Sequence, residues 1–256
     1  MKRSNLLLPF VLGLALSQAE PSFAANFRVS PIQVHLGGSG RSALVTLFNE
    51  ADRPVRFQIT AVTWNQTPEG EMDLAPTEDI VFFPKLLELG AGEQRNVRIA
   101  AQVDAGEVEK TYRLFFEEMP PPPTRDGEGA RVEVLTKMGV PIFVAPAGAD
   151  ADPAIGGFAL EEGTLAFQVE NRGGAHFTLH SVAVRGVNAE GAEVFSKRRE
   201  GWYVLARSER DYTLELDERE CGDTARIEIE ATISLPQESS TESIRADWPM
   251  PDEGCR

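Results

Sequence analysis

Three histidines, two cysteines, a glycine-rich stretch and many carboxylates are the residues of this chain whose types could carry chemistry. His176 and His180 share a face if their run is a strand, which would supply half of a metal site. No third ligand stands at a convincing spacing, and His35 is alone. Gly37, Gly38, Ser39, Gly40, Arg41 and Ser42 lack the spaced Gly-Lys-Ser/Thr of a phosphate loop and lie between two strand patterns, so they read as a turn. Ser, His and Asp are scattered, with no Gly-x-Ser-x-Gly elbow to seat a nucleophile. Carboxylate pairs on so acidic a chain say little about glycoside hydrolysis. Asn65, Gln66 and Thr67 have the form of a glycosylation sequon and are read as a chance match. The expectation is no metal, no cofactor and no enzyme.

Charge and the N-terminal segment bound what remains. There are 25 Lys+Arg against 40 Asp+Glu, a formal charge of -15, which argues against nucleic acid as a partner because phosphate binding needs clustered cations. Lys2 and Arg3 precede an apolar run from Leu6 to Leu16, broken only by Pro9 and Gly13, and small residues follow at Ser22 and Ala24. This is the pattern of a secretory signal peptide over residues 1–24, with cleavage expected after Ala24. The run is too short to span a bilayer core of about 30 Å and no later stretch approaches ~20 apolar residues, so no membrane insertion is expected. In an oxidising compartment Cys221 and Cys255 form one disulfide or stay as two free thiols. Closing that loop would stabilise the fold by about 4 kcal/mol in the chain-entropy model. CxxC redox spacing and zinc-ligand spacing are absent.

The elements that would position any site are strands. From Phe27 onward, short runs rich in Val, Ile, Phe and Thr alternate with Gly, Pro, Asn and Asp punctuation, and apolar stripes at helical period are missing. Strands are expected at Phe27–Leu36, Ala43–Asn49, Val55–Trp64, Asn96–Ala101, Thr111–Met119 and Val132–Val144. A second set is expected at Phe158–Leu160, Thr164–Glu170, His176–Val184, Glu193–Phe195, Trp202–Leu205, Tyr212–Leu216 and Arg226–Ile233. The small, acidic segment from Ala147 to Pro153 reads as a connection between them. The chain is therefore expected to be all-β, with two immunoglobulin-like sandwiches over residues 25–147 and 148–256.

One loop and the strand after it stand out. Pro120 to Pro123 cannot donate ladder hydrogen bonds, so this segment and the polar residues after it should form an extended, exposed connection. It leads into the longest strand-like run, Arg131 to Val144, in which Val132, Val134, Thr136, Met138, Val140, Ile142 and Val144 recur at period two. Such a row either fills the chain's own core or is presented to a partner.

Several passages resemble the periplasmic pilus chaperones of the chaperone-usher pathway, the PapD-like family. They are Phe27, Val29, Ser30 and Pro31; Asn49 with Pro54 and Gln58; Phe83, Pro84, Leu87, Leu89, Gly92, Gln94, Val97, Arg98 and Ile99; and Tyr112 to Pro121. The resemblance covers most of residues 27–146. Beyond them it rests on size, strand content and Gly201, Trp202 and Tyr203. It implies a boomerang of two immunoglobulin-like domains in the periplasm that binds pilus (fimbrial) subunits and delivers them to an outer-membrane usher. The subunit would be held by donor-strand complementation. Val132, Val134, Thr136 and Met138 match the donor positions. Self-association that masks this exposed apolar edge is a further expectation. The sequence also departs from the family. Gln33 and Pro141 stand where members carry the Arg and Lys that anchor the subunit's terminal carboxylate, and Ala145 replaces the Arg of the usual interdomain ion pair. The resemblance is therefore to a divergent branch, and Arg28, Arg113, Arg131 and Lys137 are the candidate substitutes for the anchor. A secreted immunoglobulin-like structural or adhesive module without chaperone activity is the alternative.

Overall fold

The computed structural model describes residues 27–37, 40–121, 134–236, 238 and 240–251. The first ten strands are β1 (Phe27–Ser30), β2 (Val34–Leu36), β3 (Ser42–Asn49), β4 (Val55–Gln66), β5 (Met72–Pro76), β6 (Ile80–Phe83), β7 (Leu86–Leu89), β8 (Gln94–Ala101), β9 (Lys110–Glu118) and β10 (Lys137–Val144). They form two facing sheets, one ordered β1-β3-β8-β6 and the other β2-β10-β9-β4-β5, with β7 also paired to β4. Alternation builds this sandwich. In β9, Tyr112, Leu114 and Phe116 point into a core shared with Val45, Leu47, Phe57, Val97 and Ile99, while Arg113 and Phe115 take the opposite face.

The remaining strands are β11 (Pro153–Glu161), β12 (Thr164–Asn171), β13 (Phe177–Val187), β14 (Glu193–Glu200), β15 (Tyr203–Val204), β16 (Glu209–Glu215), β17 (Arg226–Ser234) and β18 (Glu242–Pro249). A single short helix, α1 (Glu218–Asp223), interrupts the described strands. Asp217 caps it by accepting from the Glu220 N–H, and the Glu220 side chain accepts in return from the Asp217 N–H. The sheets are β11-β12-β16 and β14-β13-β17-β18, with β15 on β13, and they enclose a second core around Phe167, Val182, Ile229 and Ile233.

The two sandwiches use one device twice. Asn49, at the end of β3, is fully buried and donates to the carbonyls of Arg53, Leu89 and Gly90. Asn171, at the end of β12, donates in the same way to Ala175, Val204 and Leu205. Each amide satisfies carbonyls of neighbouring loops that would otherwise be buried without a partner.

The all-β, two-domain reading holds, with local corrections. The run expected as one strand from Phe27 to Leu36 is two, β1 and β2, lying in opposite sheets. Pro31 has no N–H for a ladder, and the chain crosses the sandwich there. The strand expected at Phe158–Leu160 begins already at Pro153, inside the expected connection, and Glu193–Phe195 extends to Glu200. Trp202 and Leu205 flank β15 rather than belonging to it. β5, β6, β7 and β18 lie outside the expected strands. The turn at Gly37 holds as read, with Gly37 and Gly40 exchanging backbone hydrogen bonds.

Candidate functional site

β10 is the strand whose surroundings differ from those of an ordinary interior strand. It pairs along its length with β9, from Lys137 opposite Glu117 to Val144 opposite Lys110. On its other side β2 runs parallel to it and reaches only Ile142, Phe143 and Val144. The Glu118 N–H donates to the Thr136 carbonyl at 2.9 Å, which fixes the alternation. Thr136, Met138, Val140, Ile142 and Val144 aim their backbone groups at β9, whereas Lys137, Gly139 and Pro141 aim theirs away from it. Pro141 is tolerated because its missing N–H falls on that outer side. Among the described residues no strand covers this edge from Lys137 to Pro141.

The side chains of the period-two row, of which Val132, Val134, Thr136 and Met138 were the expected donors, do not behave alike. Val140, Ile142 and Val144 are buried in the chain's own core, and Met138 packs against the same core. Thr136 is half-buried, and Val134 is 72% exposed. Val132 lies outside the described residues. Ladder pairing begins at Lys137, so Val134 and Thr136 precede β10 rather than lie within it. The apolar row therefore divides into an inner half that fills the sandwich and an outer half that continues past its end.

On the other face of the same strand lies Arg113. Gly139 has no Cβ, and one placed there would come within 2.8 Å of the Phe115 ring, so any other residue would push against the side chains crossing it. Arg113 crosses there, and its Nη1 donates to the Gly139 carbonyl at 3.4 Å, a long contact at the strand's bare edge. Its guanidinium lies 3.9 Å from the Trp64 ring centre and 4.8 Å from that of Trp202. Nε and Nη2 are buried without a hydrogen-bond partner, and among the described residues no carboxylate pairs with the cation. Burial pushes its pKa down, opposed by the nearby Tyr203. The same burial pushes the Tyr203 phenol up, and Arg113 partly offsets it.

The other candidate anchors are placed differently. Arg28 sits on β1 in the opposite sheet, over the Phe48 ring and 3.0 Å from the Glu50 carboxylate. Lys137 pairs with Glu117 at 3.0 Å and covers Phe115. Arg131 lies outside the described residues. Cys221 is buried on α1, and Cys255, its expected partner, is likewise outside them.

Between the sandwiches Trp64, Phe143 and Leu205 form a third buried cluster, joined by Trp202 and Tyr203. His35 and His176 belong here, which corrects the expected placement of the histidines. His176 is not on a shared face with His180. It is buried between the sandwiches, its ring stacked on Phe143 with centres 3.6 Å apart and its Nδ1 2.7 Å from a Glu109 carboxylate oxygen. That oxygen also accepts from the His176 N–H. His180 is exposed, on the edge of a bulge, with Nε2 3.0 Å from the Ser234 hydroxyl. His35 is not alone, since its ring centre is 5.3 Å from Phe143 and 5.9 Å from His176. Among the described residues no cluster of His, Cys, Asp and Glu could hold a metal ion. Backbone bonds from Glu109 to Gly174 and from Asp211 to Pro68 fasten the sandwiches further. Glu109 and His176 thus supply a polar link where Ala145 removes the expected one.

This junction predicts a pH dependence. Partial desolvation at the junction, then the neighbouring His176, hold the His35 pKa below its ordinary value, against a smaller upward pull from Glu109. Over the corresponding window the unfolded chain binds more protons at this site than the folded one, so stability rises with pH. His35 contributes fully above about pH 6.5, and the contribution is lost as pH falls through the lowered folded value. Urea midpoints at pH 7.5 and 5.5 should drop with acidification, and less so in His35→Phe; an equal drop in both proteins would remove His35 as the cause.

Residues 26–150 match the family described as pili and flagellar-assembly chaperone, PapD N-terminal domain. No curated protein matches the sequence. Among solved structures, the CsuC–CsuE chaperone–tip adhesion subunit pre-assembly complex from archaic chaperone-usher Csu pili of Acinetobacter baumannii contains a similar chain. That chain is 18% identical, with a TM-score of 0.62 over 86% of this chain and 98% of that one. The Salmonella enterica SafA pilin complex with the SafB chaperone gives 16% identity and a TM-score of 0.55 over 88% and 99%. The class 5 fimbriae chaperone CfaA gives 14% and 0.56 over 86% and 98%. Residues 26–150 therefore belong to the family of PapD N-terminal domains. The chain as a whole shares the two-sandwich fold of the solved chaperones.

Proposed function

We propose that this protein is a periplasmic chaperone that binds pilus subunits along the bare edge of β10 by donor-strand complementation and passes them to an outer-membrane usher. The observation that carries the reading is that edge: outward backbone groups of Lys137, Gly139 and Pro141 that no described strand covers, beside a row that continues to Val134. An added strand would satisfy those groups, while Val132, Val134 and Thr136 fill the subunit's open groove. Each fully buried valine contributes about 1.5–3 kcal/mol before the costs of docking. Met138 lies where its own core meets that groove. Residues 1–24 direct export, and Cys221 and Cys255 close the C-terminal sandwich as a disulfide.

The same reading assigns the carboxylate anchor to Arg113. Of the four candidates, Arg28 and Lys137 already face carboxylates, whereas Arg113 reaches the bare edge with two of its nitrogens unpartnered. A terminal carboxylate arriving at Gly139 would supply a charge-assisted partner and fix the register of the added strand.

Co-expression of the mature protein with pilus subunits encoded beside it, then co-purification and mass spectrometry, tests the function. A stable one-to-one complex is expected. A folded, abundant protein that retains no subunit, alone or as a self-associated dimer, would sink it.

A further inference from the structure

Trp202 brings the C-terminal sandwich to the proposed anchor, its ring centre 4.8 Å from the Arg113 guanidinium. It follows Gly201, which lies so close to Leu179 that a Cβ there would come within 2.2 Å of the Leu179 carbonyl oxygen. The Leu179 N–H in turn donates to the Trp202 carbonyl at 2.7 Å. The side chain is thus held toward the junction, where its ring centre lies 5.3 Å from that of Trp64. The two indoles contact the same guanidinium, one from each sandwich.

We infer that Trp202 is a positioning residue for subunit binding: with Trp64 it confines the Arg113 guanidinium so that Nη1 faces the Gly139 edge, and the carboxylate anchor is complete only when both sandwiches are in place. This rests on the assignment of Arg113 as anchor. Two physical effects support it. An arginine side chain has large rotamer freedom, which a free side chain would lose on meeting its ligand and a confined one has already lost. Aromatic walls also exclude water from the cation, which strengthens its attraction for a carboxylate. The C-terminal sandwich then has a part in recognition although the donor strand belongs wholly to the N-terminal one.

The test separates positioning from packing by comparing two ligands on the full mature chain. The probe is the C-terminal dodecapeptide of the subunit retained in co-purification, made as the free acid and as the amide, with both Kd values measured by calorimetry. The wild type should prefer the acid by about tenfold or more, the worth of one charge-assisted hydrogen bond. Arg113→Gln should erase that preference. Trp202→Leu should reduce it to about threefold or less while leaving the amide's Kd unchanged, and Trp202→Phe should restore most of it. If Trp202→Leu weakens both peptides equally, or changes neither, Trp202 only packs the junction and the inference fails while Arg113 stands. If Arg113→Gln leaves the acid preference intact, the anchor lies elsewhere and both assignments fall. A protein that retains no subunit overturns them together with the proposed function.

Discussion

Replacing Val134 by arginine should abolish subunit capture and leave the free protein as stable as before. Both halves of this expectation follow from one residue's surroundings. Val134 is 72% exposed and precedes the first ladder pair of β10, so a long charged side chain there disturbs no packing and no backbone bond. In the proposed complex the same position enters an apolar groove. The variant forfeits the valine's burial and would have to place an unpaired cation there, together costing about 3 kcal/mol or more, a hundredfold or greater loss of affinity. Co-purification read beside a urea midpoint checks it. Retained subunit at wild-type yield would show that the outer half of the row is not what the partner reads, and a shifted midpoint would show that Val134 serves the chain's own fold.

That division of the row marks the boundary of what the sequence makes legible. Period-two alternation identifies β9 and β10 directly, because each strand has one face in a core and the other in a cleft or at an edge. Alternation alone cannot say where a strand stops filling its own sandwich and starts serving another, since Val134 and Val140 have identical side chains. The difference is the position of β2, which pairs with Ile142 to Val144 and leaves the earlier residues bare. All five residues of β5 are exposed, so no buried face imprints a pattern on it. β18 carries an exposed polar row with Trp248 as its main apolar signal.

The candidate anchor was legible as a set of four cations but not as one. Arg113 sits in a strand like its neighbours in sequence. What distinguishes it comes from Trp64 on β4 and Trp202 before β15, residues that only the packed junction brings together. The same holds for the histidines. A strand reading puts His176 and His180 on one face, whereas His176 precedes β13 and turns into the junction, and the bulge after Leu179 breaks the alternation beyond it. His35, isolated in sequence, joins His176 through Phe143.

Arg113→Met should move stability and binding in opposite directions. In the free protein the guanidinium is buried against two indoles, with Nε and Nη2 unpartnered and no carboxylate paired to it among the described residues. Cation–π attraction offsets about 2 kcal/mol of that desolvation, less than the several kcal/mol that burying an ion typically costs. An unbranched thioether of similar reach fills the space between the rings without a charge to desolvate, so the free variant should be more stable by about 1–2 kcal/mol. In the complex the carboxylate loses its charged donor, and truncating one member of a buried ion pair costs about 2–5 kcal/mol, a 30-fold or greater loss of subunit affinity. Urea unfolding of the free variant and its affinity for the subunit, measured on one preparation, decide the matter. A variant both less stable and weaker in binding would mean that Arg113 is interface packing. One more stable and unchanged in binding would mean that the cation is buried there without meeting the subunit. The opposed shifts are expected because a group held for a ligand is left unsatisfied until the ligand arrives.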